Sequence, residues 1–211
     1  MSIAGIIDLL DGFPGWCTNF EPVFLQELSR QANGATRGKD FGTPLWRATW
    51  QSRQLEPNEL DQWRARLDGL SGVMVPFRGL HLARTYPILY PNGSWPTGGS
   101  FSGVCTVAAA SGQSLALSGL PNGYTVSAGD MIGVTTDDNA WLFRARETAS
   151  APAGSTASFL VVPPIPAGLT GGLAASVVRP WCPMTLQPGS PTYPSALDGV
   201  GSLSFTAMEL R

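Results

Sequence analysis

The sequence has one histidine, His81, one lysine, Lys39, and three scattered cysteines, Cys17, Cys105 and Cys182. Each shortage excludes something. One histidine without a cysteine cluster does not make a typical zinc site. A Cys–His or Ser–His pair would rest on His81 alone, and no GxSxG elbow supports a serine nucleophile. The cysteines are isolated, odd in number and without a CxxC pair, so they cannot form a complete disulfide set. We expect buried or free thiols of a reducing compartment.

Charge is also scarce: 13% of the residues are Asp, Glu, Lys or Arg, against a usual ~25%. The net charge is −2 and the pI about 5.3, so no basic field exists to hold a nucleic-acid backbone. No apolar run reaches the ~18 residues of a membrane-spanning helix. "MSIAGIIDLL" lacks the positive start and long apolar run of a signal peptide, and synthesis in a cytoplasm without export by the general route is expected.

What is present suits a folded, β-rich chain. Over 211 residues, 43% are hydrophobic, enough to bury a core without metal or disulfide help. The 25 glycines and 18 prolines then indicate many turns and not disorder. Low charge, with arginine in place of lysine, also suits a surface covered by partners.

Along the chain, "SIAGIIDLLDGFPG" puts Ile3, Ile6, Ile7 and Leu10 at helical spacing but ends at Gly12 and Pro14. It reads as a short helix or an arm packing on a neighbour. "PVFLQELSRQANGATRG" reads as a strand followed by a turn at Asn33-Gly34. "PLWRATWQS" alternates, with Trp46, Ala48 and Trp50 on one side and Leu45, Arg47, Thr49 and Gln51 on the other, as in a half-buried strand. "EPNELDQWRARLDGLSG" is the best helix: Pro57 suits a first turn, Glu59 and Asp61 suit the positive end of the dipole, and Leu60, Trp63, Leu67 and Leu70 share one face. Gly69 and Gly72 offer left-handed stops. Packing this helix on the sheet would bury Trp46, Trp50, Leu60, Trp63, Leu67 and Leu70 together as a core.

"VMVPFRGLHLA" is a further strand, and "YPNGSWPTGGS" a loop whose Trp95 is a candidate interface residue. From Phe101 onward short strands alternate with turn dipeptides, which argues a sandwich or barrel. The proline-rich "VVPPIPAG" ends a strand. "SLSFTAMELR" reads as a last strand closing the sheet.

No catalytic constellation emerges. His81 reads as a structural or surface residue. Asp130 and the Asp137-Asp138-Asn139 run read as turns, Glu147 stands with them as an acidic side chain of the strand region, and none has calcium-loop spacing. No phosphate loop or dinucleotide fingerprint is present. We expect no catalytic, cofactor-binding or metal site, and a non-enzyme.

The stretch "GTPLWRATWQSRQLEPNELDQWRARLDGLSG" resembles the strand–helix unit of the distal tail proteins of long-tailed bacteriophages and prophages. "VSAGDMIGV" with "WLFRARETASA" is similar to their strand-turn-strand stretches, and "SLSFTAMEL" looks like their terminal strand. The resemblance implies a β-sandwich "belt" domain with one helix packed on a sheet. Residues 1–100 would form its strand–helix part and 181–211 its closing strand, with 101–180 either more belt or a small inserted β subdomain. It also implies a homo-oligomeric, hexameric ring at the tail tip of a virion, assembled in the host cytoplasm. Its partners would be the tail tube and the hub or baseplate proteins, with no cofactor, no specific nucleic-acid contact and no membrane. A carbohydrate-binding β-sandwich using Trp95 or Trp141, or another tail tube or neck protein, are the alternatives.

Overall fold

A computed structural model describes residues 5–32 and 34–211. Ile3 and Asn33, which carried parts of the sequence reading, lie outside the described residues. The chain is mainly β, with multiple sheets and one helix packed on a sheet.

Two strands, β1 (Gly15–Val23) and β4 (Leu45–Ser52), pair antiparallel, and the chain between them forms a smaller hairpin, β2 (Gln26–Arg30) and β3 (Thr36–Asp40). The strand read over Pro22–Arg30 is thus two strands, parted at Phe24–Leu25. The helix α1 (Pro57–Asp68) follows, then β5 (Phe77–Leu80). The chain returns to this sheet only with β14 (Trp181–Leu186) and β15 (Ser204–Glu209), giving a five-stranded antiparallel order β1-β4-β15-β14-β5. The last strand therefore lies in the middle of the sheet and does not close its edge. Phe205, Ala207 and Glu209 are its buried residues, and Leu203 just before it is buried as well.

Between β5 and β14 the chain makes β6 (Val104–Ser111), β7 (Ser114–Ser118), β8 (Tyr124–Val126), β9 (Met131–Thr135), β10 (Ala140–Ala145), β11 (Ala149–Ala151), β12 (Phe159–Val162) and β13 (Ala174–Ser176). Six of these close a barrel in the order β10-β12-β7-β6-β13-β9, and β8 pairs with β11 beside it. Pro163 and Pro164 follow β12 directly, where no further ladder donor is needed.

Local chemistry explains the helix. Pro57 occupies its first turn, and the Glu59 carboxylate accepts the Glu56 N–H (3.4 Å) and pairs with Arg53 (3.0 Å). Its stop differs from the expectation: Gly69 stays right-handed, and Ser71 and Gly72 take the positive φ. The buried stripe of Leu60, Trp63 and Leu67, continued by Leu70, packs on Trp50 and Phe205 of the sheet in one cluster. Phe13 joins edge-on to Trp63 (5.1 Å) and to Phe205 (5.7 Å), and Trp50 stacks on Phe205 (5.3 Å). Such ring pairs contribute ~0.5–1.5 kcal/mol beyond their buried area.

The N-terminal segment is corrected. Residues 5–14 contain no α-helix, and they pack on their own chain: Ile6, Leu9, Leu10 and Phe13 are buried. The reason is competition. A helix this short is unfavourable by itself, whereas the outer edge of β5 offers backbone partners: Ile7 N–H donates to Pro76 O (3.5 Å) and Arg78 N–H donates to Ile7 O (2.8 Å).

Sheet and barrel are joined by specific bonds. The Trp46 indole N–H donates to Leu142 O of β10 (2.7 Å). Arg144 of β10 donates to Phe20 O (2.7 Å) and to the Glu21 carboxylate (2.7 Å), with its guanidinium over the Trp46 ring (5.0 Å). Asp130, buried at the start of β9, accepts the Ile88 and Ser127 N–H groups (2.8 Å each) and ties the 85–101 loop to the barrel.

Candidate assembly surface

The hairpin β2–β3 is the feature the core does not explain. Its ladder is regular, from Gln26↔Asp40 to Arg30↔Thr36, and Phe41 N–H donates to Leu25 O (2.8 Å) at its root. Yet all ten strand residues are exposed. A two-stranded ribbon on its own is marginal in water. Apolar side chains nonetheless crowd it: Leu28 is 77% exposed, and Phe24, Leu25 and Phe41 are about half exposed. On a monomer that would be a liability. On an assembling chain it is a contact element.

At the hairpin root a cleft of about 560 Å³ opens between the sheet and the barrel. Glu21, Phe24, Gln26, Asp40, Arg144 and Arg146 line it. Arg144 is already held by Glu21, and Arg146 donates to Gln113 (3.3 Å), so the cleft wall is preorganised.

A second groove, of about 440 Å³, lies between the N-terminal segment and the C-terminal half of α1. Leu9 and Leu70 are its buried apolar residues, and Asp8, Asp11 and Arg66 stand beside them. Both carboxylates share one cation, Arg179, at 3.9 and 3.6 Å. Exposed Ile7 adds to this apolar area.

The residues expected to form the core are all buried: Trp46, Trp50, Leu60, Trp63, Leu67 and Leu70. Trp95, expected at an exposed contact, is only 8% exposed. It packs edge-on to Phe101 (4.9 Å) and beside Tyr90 (5.7 Å) within the barrel core. The loop chemistry around it was readable; the aromatic partners, drawn from Tyr90 to Tyr124, were not. Trp141 is half-buried against the same core.

The titratable groups do not converge. His81 is partly buried beside the Phe20 ring (5.5 Å); burial lowers its pKa, helped by Arg144 and Arg84 and opposed by its own backbone hydrogen bond and by Glu21. Burial lifts the thiols: Cys17 to about 11 and Cys105 to about 12, with Cys182 also well above its ordinary value. The three cysteines are free. Asp137 and Asp138 are exposed in the β9–β10 turn, and Glu147 accepts the Leu160 N–H (3.1 Å). Among the described residues no three His, Cys, Asp or Glu side chains are grouped to hold a metal ion.

Compared with protein-family models and with curated proteins, the chain shows no significant match.

The hairpin had a signal in the sequence that periodicity missed. Gln26–Arg30 and Thr36–Asp40 are polar at every position but Leu28 and Gly38. A strand polar on both faces has no core to face, so it must be solvated or covered by another chain.

Proposed function

We propose that this chain is a structural component of a bacteriophage tail: a distal tail protein that forms a ring joining the tail tube to the hub or baseplate. The observation that carries the reading is the hairpin, a regular ribbon with no buried residue and four exposed large apolar side chains on it and at its root. Closure of a ring needs two different patches on each subunit, and the hairpin and the α1 groove are two such patches. The resemblance of the Gly42–Gly72 strand–helix stretch to distal tail proteins supplies the biological setting, a virion tail tip with tube and hub as neighbours. The carbohydrate-binding alternative asks for exposed tryptophan faces; it is weakened because Trp95 is buried and Trp141 half-buried.

The test is the mass of the purified chain by native mass spectrometry and light scattering. A species near six chains, or rings formed on adding a tube or hub protein, is the expected result. A strict monomer that binds an oligosaccharide and never assembles would overturn it.

A further inference from the structure

We propose that the hairpin of one copy docks in the groove between the N-terminal segment and α1 of the next copy, a head-to-tail contact. The inference rests on the ring reading and names the two surfaces that would make the ring.

The topology places these surfaces apart. A row runs across the sheet from Pro22 to its partner Trp46, whose N–H bonds the Glu209 carboxylate, and on by register from Glu209 through Met184 and Phe77 to Ile7. The hairpin leaves the sheet beyond one end of this row, where β1 and β4 meet it, and the groove borders the other end, outside β5. With strands ~4.8 Å apart, the outer strands β1 and β5 are about 19 Å from one another. A copy that offers its hairpin at one edge therefore still has a free groove at the other. Such a contact is heterologous, and repeats until it closes.

The chemistry of the two surfaces matches. Leu28 stands on the hairpin opposite Gly38 and lies across it, 3.9 Å from where a Gly38 Cβ would be, yet remains 77% exposed. Arg30, two residues on, shares the Leu28 face and follows it toward the tip, whereas Arg37, opposite Ser29, is on the other face. The groove offers the complement: an apolar floor of Leu9 and Leu70, with Asp8 and Asp11 sharing the single Arg179. Arg66, the groove's other cation, lies over the Trp63 ring (4.5 Å). Leu28 enters the apolar floor, and Arg30 on the same face reaches the two carboxylates.

The experiment is disulfide trapping in a Cys17→Ser background, where the two remaining cysteines are buried. Leu28→Cys and Ala65→Cys are made as separate chains; both positions are exposed, so both variants fold. The expected result is a covalent dimer when the two variants are mixed under mild oxidation, in several-fold excess over either variant alone. Equal dimer from Leu28→Cys alone would mean a symmetric hairpin–hairpin contact and overturn the docking. Rings that form normally without any Leu28–Ala65 link would overturn the docking while leaving the ring reading intact. A chain that yields neither oligomer nor link, alone at the highest concentration it tolerates or with a tube or hub protein added, overturns both.

Discussion

One continuous ribbon, two physical regimes: β1 and β4 carry on into β2 and β3 across the Phe41–Leu25 hydrogen bond, yet β4 of the near half buries every second side chain and the strands of the far half bury none. Backbone pairing is the same in both. Side chains make the difference. Trp46, Ala48, Trp50 and Ser52 alternate inward along β4, whereas β2 and β3 have no such set. The comparison teaches that a ladder needs a second surface. In the near half α1 and the barrel supply it, and in the far half we assign it to another copy.

The strongest way to break the comparison is to empty the near half. Trp50→Ala removes a ring packed by Phe20, Phe77 and Phe205 and should lower the unfolding free energy by ~4 kcal/mol in urea titration. Leu67→Ala removes a buried face of α1 and should cost ~3 kcal/mol by the same measurement. If neither shifts the midpoint, the helix does not supply the second surface.

A smaller effect sits where β4 meets β15. The buried Glu209 carboxylate accepts the Trp46 N–H (3.0 Å) and an Arg211 bond (2.9 Å). Burial nonetheless raises its pKa above the usual carboxylate value, opposed by Arg211 and the Trp46 N–H. A carboxyl with a folded pKa above its unfolded one contributes fully below the unfolded pKa and loses that contribution as pH rises through the folded pKa. Glu209→Gln abolishes this titration. Its stability relative to the parent chain should therefore improve as pH rises from about 4 to about 7, read from urea midpoints at each pH.

The smallest expected effect is in the far half. Leu28→Ala should change the stability of the isolated chain by less than ~0.5 kcal/mol, as for a surface residue with no packing to lose. Gel filtration should nevertheless show weaker assembly. A large loss of monomer stability would mean that the hairpin is held by its own chain.

These contrasts also mark what was legible in the sequence. The helix was readable because Leu60, Trp63 and Leu67 repeat at its own period behind a proline and an acidic first turn. The alternation of β4 was readable for the same local reason. The N-terminal segment was not: Ile6, Ile7 and Leu10 have helical spacing, but the edge of β5, some seventy residues away, offers better backbone partners. Asp130 was readable as a turn residue, and its second bond, to Ile88 forty-two residues earlier, was not. Trp95 failed in the same way, since its neighbour Phe101 is local but Tyr124 is not. Local chemistry shows in a single sequence; a contact between distant segments shows only after folding.

The barrel has a consequence of another kind. The chain leaves the sheet at Leu80 and re-enters it at Trp181, and these two residues are register partners across β5 and β14. Everything between them enters and leaves through a single rung of one ladder, with entrance and exit about 5 Å apart. A tight turn could join the same two strands. Away from the side that packs on the sheet, the intervening hundred residues can therefore change in length without shifting the register of the strands that frame them. Only the side that meets Trp46 and Glu21 is constrained by the frame.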